Sequence, residues 1–258
     1  MIRFESVTKY FGDKKVLERV NFTVAAGETF VIVGFSGAGK SVALKHMIRL
    51  LTPDYGKVFV GGQIISRAAG RELQKLRERF GVLFQGAALL EWMSVGDNIA
   101  LPLREKTNMG ETEIRRRVNE RLEQVNLEHA YNLFPSELSG GMRKRVGLAR
   151  SLVMNPDIIL YDEPTSGLDP VTSRSIDQLI DRMRVELKVT NVVVTHDLFS
   201  ALAIGSRIAM LYNGRILEIS SPAEFIRSRN EIVRSFLESQ YITKRGKWEA
   251  HINEKQEN

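Results

Sequence analysis

The sequence lacks cysteine altogether and has no long apolar run. Without cysteine no disulfide framework can form, which excludes a disulfide-stapled secreted domain and fits a reducing compartment. The longest apolar runs, such as Val31–Val33 and Ile158–Tyr161, fall far below the roughly 18 residues that a membrane-spanning helix needs. If the protein serves a membrane, we expect another chain to supply the pore. Arg3, Glu5 and Lys9 stand where a signal peptide needs apolar residues, so we expect no export.

A strong charge of one sign is also missing, because 37 Lys and Arg face 31 Asp and Glu and the net charge is +6. This mild excess of positive charge is compatible with phosphate ligands, an anionic membrane surface or nucleic acid, and it does not distinguish among them. A chain of 258 residues is long enough for one large domain, or for one domain carrying a lobe.

Three short apolar runs, mostly of β-branched residues, predict strands buried on both faces: Thr29–Val33, Ile158–Tyr161 and Asn191–Thr195. Helical patterns separate or follow these strands, an alternation typical of a mostly parallel sheet whose functional residues gather at the carboxyl ends of the strands. The predicted helices are Val42–Leu51, Thr112–Val125, Gly141–Met154, Ser173–Leu187 and Ala223–Ser239.

Two other regions depart from this alternation. Val20, Phe22 and Val24 alternate with polar residues, and Lys57–Val60 precedes two glycines, which predicts an antiparallel β subdomain near the N-terminus. A charged, helical pattern at about 86–150 predicts an α-helical subdomain inserted into the sheet domain. The resulting fold class is α/β, with one domain over residues 1–243 and a polar C-terminal tail over residues 244–258.

A glycine-rich loop follows the first buried strand. Residues 34–41 fit the pattern G-x-x-x-x-G-K-[ST] between an apolar strand and a helical run, which is the context that a phosphate-binding loop requires. Glycine lets successive backbone N–H groups turn inward as an anion nest, and the N-terminus of the next helix adds positive charge. Lys40 would contact the outer phosphates, and the Ser41 hydroxyl would bind Mg²⁺.

Two carboxylates follow the second buried strand. Asp162 and Glu163 come directly after Ile158–Tyr161, and Pro164 ends the strand. Acids at a buried strand end need partners, and Mg²⁺ beside a triphosphate is such a partner for Asp162. Glu163 would then be free to polarise a water for attack on the γ-phosphate.

A second glycine-rich helix start lies in the middle of the chain, at Leu138-Ser139-Gly140-Gly141-Met142. With this segment the sequence resembles the ABC ATPase family, whose motifs occur here in the family's order over roughly residues 1–225. The motifs are the loop at 34–41, Gln85 after an apolar strand, the signature at 138–142, the acidic strand end at 158–163, Ser166-Gly167-Leu168-Asp169, and His196 after the third strand.

The resemblance implies a homodimer in which two ATP molecules are shared. The phosphate loop of one copy holds each ATP, and Ser139, Gly140 and Gly141 of the other copy cover it. Asp169 would couple the two sites across the interface. Because the signature ends in Met142 where many members have glutamine, nucleotide contact at that position is in doubt.

The resemblance also assigns roles around the nucleotide. Glu163, His196 and Gln85 would be catalytic. The Mg²⁺ ligands would be Ser41, Gln85 and Asp162. Phe11 falls where the family stacks an aromatic ring on adenine, and Tyr10 is the competing candidate. The predicted ATP-binding residues are Phe11, Gly34, Phe35, Ser36, Gly37, Ala38, Gly39, Lys40, Ser41 and Val42.

Further segments look like the ATPases of the Mla and Mce-associated lipid transport systems: Gly39–His46, Val82–Leu90, Ala100–Glu105 and Gly140–Arg150. Such proteins act on the cytoplasmic side of an inner membrane, with a transmembrane permease and a periplasmic lipid-binding Mce-type protein. The apolar stretch Ala87–Met93 lies where the family receives a helix of the membrane partner, so we expect an exposed aromatic docking surface there.

Two alternatives stay open at this stage. The same ATP chemistry could drive another cargo, such as amino acids or metal ions. A soluble ABC protein acting on nucleic acid or ribosomes is a different class, but such proteins usually carry tandem cassettes or long coiled-coil insertions, and this chain has neither. We therefore expect no nucleic-acid partner.

Overall fold

A computed structural model describes residues 1–240 of the chain. The predicted polar tail, 244–258, lies outside the described residues. The strands are β1 (Ile2–Phe11), β2 (Lys14–Val24), β3 (Thr29–Val33), β4 (Tyr55–Val60), β5 (Gln63–Ile64), β6 (Phe80–Leu83), β7 (Ile158–Asp162), β8 (Thr190–Thr195), β9 (Arg207–Tyr212) and β10 (Arg215–Ser220).

Helices connect most of these strands, and two short 3₁₀ turns precede α5. Within residues 1–240 no helix combines the length and apolarity needed to cross a membrane. The helices are α1 (Lys40–Met47), α2 (Gly70–Glu78), α3 (Val95–Lys106), α4 (Glu111–Gln124), α5 (Gly140–Leu152), α6 (Pro170–Leu187), α7 (Leu198–Ile204), α8 (Pro222–Phe225) and α9 (Glu231–Ser239).

The strands form two sheets. The small sheet has the order β2-β1-β4-β5 and is antiparallel throughout. The large sheet has the order β10-β9-β3-β8-β7-β6, and its neighbours are parallel except for the β9–β10 pair. Because β3, β8, β7 and β6 are parallel neighbours, their carboxyl ends meet at one edge, where the sequence places its candidate motifs.

Side chains of β3 alternate between two hydrophobic cores, as a strand covered on both faces requires. Val31 and Val33 pack with the helices α3–α9, whereas Phe30 and Ile32 pack toward the small sheet, α1 and α2. All five residues of β3 are buried. The phosphate loop that follows this strand therefore starts from a rigid support.

Two predicted helices differ from the structure. The helix predicted at Val42–Leu51 ends at Met47, since Arg49 adopts a positive φ of 52°. The single helix predicted at Ala223–Ser239 is divided into α8 and α9, because Asn230 caps a new helix by accepting hydrogen bonds from two backbone N–H groups of its first turn.

Candidate functional site

The phosphate loop depends on glycine for close backbone approach. A Cβ at Gly34 would lie 2.2 Å from the Leu211 carbonyl oxygen. Gly39 has a φ of 103°, and a Cβ there would lie 2.9 Å from the Val16 carbonyl oxygen. Substitution at either position would displace backbone, so the glycine pattern reflects the shape of the loop.

Lys40 begins α1 inside this loop and is only 7% exposed. Its Nζ donates to the carbonyls of Gly34 (2.8 Å) and Phe35 (3.2 Å), and lies 3.7 Å from Glu163 Oε1. Burial lowers the pKa of Lys40, and the nearby carboxylates of Glu163 and Asp162 oppose that shift. A cation is thus held at the phosphate loop by the loop's own backbone.

Ser41 and Asp162 meet across the site although they are far apart in sequence. The Ser41 hydroxyl donates to Asp162 Oδ1 at 2.8 Å. Within residues 1–240, no cluster of three His, Cys, Asp or Glu side chains is placed to hold a metal alone. The oxygen pair still fits Mg²⁺, a hard cation that proteins commonly bind with one or two carboxylates plus substrate phosphates.

Glu163 follows β7 in a left-handed conformation with a φ of 50°, a conformation that costs a non-glycine residue on the order of 1 kcal/mol or more. Surrounding contacts hold it there. Its N–H donates to the Val194 carbonyl at 2.9 Å, and its side chain is 14% exposed. The Thr195 hydroxyl donates to its Oε2 at 3.3 Å.

His196 contacts the same oxygen, with Nδ1 2.8 Å and the backbone N 3.3 Å from Glu163 Oε2. Because an ionised carboxylate only accepts hydrogen bonds, this contact assigns the proton of a neutral imidazole to Nδ1. The ring is 56% exposed and lines the same cleft as the phosphate loop.

Gln85 reaches the site from the loop after β6. Its Nε2 donates to the Ser166 hydroxyl at 3.3 Å, and its side chain lines the cleft with the phosphate loop and Glu163. Phe11 also lines this cleft, whereas Tyr10 lines a separate groove beside β2 and β10. The structure thus brings Phe11, and not Tyr10, to the phosphate loop.

The cleft has a volume of about 650 Å³. It also includes residues that sequence reasoning missed, among them Phe236, Ser239 and Gln240 at the end of α9. Phe236 packs edge-on against Phe35, with ring centroids 5.1 Å apart. No motif marks these residues, because α9 joins the site only through folding. The lining residues are Phe11, Lys14, Val16, Phe35–Val42, Gln85, Glu163, His196, Phe236, Ser239 and Gln240.

The signature segment occupies a different place. Within the described residues, Ser139, Gly140 and Gly141 do not line the cleft of their own phosphate loop. Ser139 caps α5 by accepting from the Met142 N–H at 3.3 Å, and Ser139 and Gly140 are exposed. The chain therefore presents this helix start outward.

Asp169 lies close to the signature through the start of α6. Its Oδ1 accepts hydrogen bonds from the N–H groups of Val171 and Thr172, both at 3.0 Å. The pKa of Asp169 is lowered, mainly because Thr172 donates hydrogen bonds to the carboxylate. A Cβ at Gly141 would lie 2.5 Å from Thr172 Cγ2. The starts of α5 and α6 are therefore packed together.

The exposed aromatic surface predicted at Ala87–Met93 is narrower than expected. Trp92 is 77% exposed, but Ala87 is buried in the core and Leu89 packs against it. Asn98 holds this loop on α3, because its amide donates to the carbonyls of Leu90 and Met93, both at 3.1 Å.

Comparison with known proteins identifies the family. Residues 17–166 match the family model described as ABC transporter. The chain belongs to the ABC transporter family, as an ATP-binding cassette.

Its relatives carry names with different cargoes. The chain is 42% identical over 241 residues to the probable ribonucleotide transport ATP-binding protein Mkl of Mycobacterium tuberculosis, covering 93% of this chain and 67% of that protein. It is 37% identical over 240 residues to the intermembrane phospholipid transport system ATP-binding protein MlaF of Haemophilus influenzae, covering 93% and 91%. It is 40% identical over 225 residues to the methionine import ATP-binding protein MetN 1 of Shouchella clausii, covering 86% and 65%.

A solved structure is similar over nearly its whole length. It is a dimeric ATP-binding cassette in a post-hydrolysis state bound to ADP and Pi, with 36% identity and a TM-score of 0.79 over 86% of this chain and 99% of that chain. The predicted fold class, an ABC nucleotide-binding domain with a mostly parallel core sheet, an antiparallel β subdomain and added helices, is confirmed.

Proposed function

We propose that this cassette hydrolyses ATP with Mg²⁺ as a homodimer and that hydrolysis drives a membrane transporter. One observation carries the proposal. Lys40, the Ser41–Asp162 pair and Glu163 converge at the carboxyl ends of β3 and β7, with Lys40 Nζ 3.7 Å from Glu163 Oε1. A phosphate-binding cation, an oxygen pair for Mg²⁺ and a carboxylate for water activation are the parts that phosphoryl transfer to water needs.

ATP would enter the cleft with its phosphates on the backbone N–H groups of residues 34–42 and its base beside Phe11. Bound Mg²⁺ would neutralise charge on the phosphates, held by Ser41 and Asp162 with Gln85 nearby. Glu163 would orient and polarise the attacking water as a general base. His196 would contact the γ-phosphate through Nε2, which donates a hydrogen bond there when the ring is an imidazolium with a proton on each nitrogen.

The exposed signature supports pairing. Ser139 and Gly140 are exposed and, within residues 1–240, do not line the cleft of their own phosphate loop, and the start of α6, which Asp169 caps, packs against the start of α5. In a head-to-tail dimer these groups would cover the ATP of the partner and link the two sites. The similar cassette that binds ADP and Pi is dimeric, which supports the same arrangement here.

Phospholipid is the cargo that we propose. The support is the likeness to MlaF over 93% of this chain and 91% of that protein, together with the segments noted above. The expected partners are transmembrane permease subunits, for which exposed Trp92 offers a contact, and a periplasmic lipid-binding Mce-type protein. The chain would then act at the cytoplasmic side of the inner membrane. The likeness to MetN 1 makes amino acid import the alternative.

Purified protein tests the catalytic part of the proposal. With ATP and Mg²⁺ we expect phosphate release that chelation of Mg²⁺ abolishes, and ATP-dependent pairing detected by size-exclusion chromatography. A protein that neither binds ATP nor pairs in its presence would sink the proposal.

Cargo needs a separate experiment. Purification from native membranes in mild detergent should recover a permease, an Mce-type protein and bound phospholipid. Recovery of a permease with an amino-acid-binding protein would overturn the lipid assignment and leave the ATPase assignment intact.

A further inference from the structure

Lys144 is a buried cation that no motif of the proposed mechanism uses. It lies on α5, five residues after Ser139, and is only 5% exposed. Lysine is almost never fully buried unless its ammonium group has partners. The partners of Lys144 therefore indicate why it lies there.

Both partners are backbone carbonyls of proposed catalytic residues. Lys144 Nζ donates to the carbonyl oxygen of Gln85 and, at 3.1 Å, to that of Glu163. These carbonyls belong to separate chain segments, one after β6 and one after β7. A single ammonium group thus joins two segments that carry proposed catalytic side chains.

Glu163 needs such an anchor more than an ordinary residue does. Its backbone is in the left-handed region, which persists only when neighbouring contacts hold it. Val194 accepts from its N–H, and His196 contacts its side chain. Its carbonyl accepts from two donors, the Ser166 N–H at 3.2 Å and Lys144 Nζ at 3.1 Å, and of these only Lys144 also reaches Gln85. Gln85 is held less firmly, since its exposed amide makes a 3.3 Å hydrogen bond to Ser166.

We propose that Lys144 is a positioning residue for ATP hydrolysis, which fixes the backbone of Gln85 and Glu163 onto the helix that begins at the signature. The inference rests on the proposed function. It also connects two neighbouring points on α5: the signature would contact the partner's ATP, while Lys144, about one turn further along, holds the carbonyls at the chain's own ATP. Rotation of α5 would therefore move Gln85 and Glu163 with the signature.

Substitution tests the role through separate rate and affinity measurements. In Lys144→Met the side chain keeps its length but loses its donors, so Gln85 and Glu163 can shift. A displacement of about 1 Å at a reacting group can lower a rate about 100-fold, so we expect kcat to fall about 10-fold to 100-fold while the KM for ATP stays within about twofold. Lys144→Arg, which keeps charged donors, should recover most of the rate.

Arg145→Met is the matched control. Arg145 is the next residue on α5, but its guanidinium donates to the Val125 carbonyl and the Ser175 hydroxyl, which lie outside the cleft. Its kcat should match that of the parent. If Lys144→Met does not fold, Lys144→Gln carries the same test, because its shorter amide cannot bridge both carbonyls.

The outcomes separate this inference from the proposed function. A parent protein without ATPase activity contradicts the proposed function itself. An active parent with Lys144→Met, or its Gln replacement, at the parental kcat overturns the role of Lys144 alone. An equal loss of kcat in Arg145→Met also overturns it, since the effect would then be a general one of α5.

Discussion

Two helices of this chain begin with glycine-rich segments, and they differ in what surrounds them. At the start of α1, Lys40 is buried and the carboxylates of Asp162 and Glu163 are within its reach. At the start of α5, Ser139 and Gly140 are exposed, and within residues 1–240 neither lines the cleft that contains the catalytic candidates.

The two helix starts share the ability to bind an anion but differ in whether candidate catalytic side chains lie beside them. Any helix N-terminus offers N–H groups and positive charge to an anion, so both starts are suited to phosphate. Of these two starts, within residues 1–240, the α1 start alone has the proposed base and the proposed metal ligands beside it, because the parallel strands β3 and β7 deliver both to one edge. We infer that the α1 start holds and hydrolyses a nucleotide, whereas the α5 start completes the site of a partner.

The largest expected effect concerns the chemistry at the α1 start. Glu163→Gln keeps the shape of the side chain but removes the base, so we expect ATP hydrolysis to fall about 10²-fold to 10⁴-fold. ATP binding and ATP-dependent pairing should persist, which phosphate release and size-exclusion chromatography would measure together. Hydrolysis at the parental rate would contradict the water-positioning role.

A smaller effect concerns binding at the same start. Lys40→Ala removes a charged contact to phosphate, for which a loss of about 1.5–3 kcal/mol is typical, so ATP affinity should fall about 10-fold to 100-fold. Titration with a fluorescent ATP analogue would measure this. Lys45→Ala, on the last turn of the same helix, is the control and should bind as the parent does.

The next effect concerns how the α5 start is packed. Gly141→Ala would place a Cβ 2.5 Å from Thr172 Cγ2, and overpacking of this kind costs about 1–3 kcal/mol in the free energy of unfolding. Urea denaturation would measure the loss. Gly110→Ala should cost less, since a Cβ there meets nothing within 4 Å. If Gly141→Ala and Gly110→Ala have the same free energy of unfolding, the start of α5 accommodates the added methyl group without a loss of stability.

The smallest effect decides whether the α5 start serves the partner. Ser139→Arg in one copy of a mixed dimer should block the site on the other copy and leave about half of the hydrolytic sites, because a large side chain fills the space above the helix start. Counting the nucleotide molecules trapped per dimer would measure how many sites remain functional. Mixed dimers that keep both sites would contradict the shared-site arrangement.

Much of the fold and site is readable from local patterns. The buried strand at Thr29–Val33 and the loop after it are contiguous in sequence, so hydrophobic pattern and glycine spacing suffice to predict them. The comparison with known proteins confirms the fold class and the family on which the resemblance rested. Predicted helix ends were less accurate, because Arg49 and the Asn230 cap depend on local backbone geometry.

Folding alone decided the contacts between distant segments. The resemblance expected Ser41 and Asp162 at one metal, but their direct hydrogen bond follows from the fold. The placement of Phe236 against Phe35 and the burial of Lys144 join residues that no motif connects. Sequence order specifies which side chains are available at each strand end. Which of them touch depends on strand order in the sheet and on helix packing, because those bring together groups that are remote along the chain.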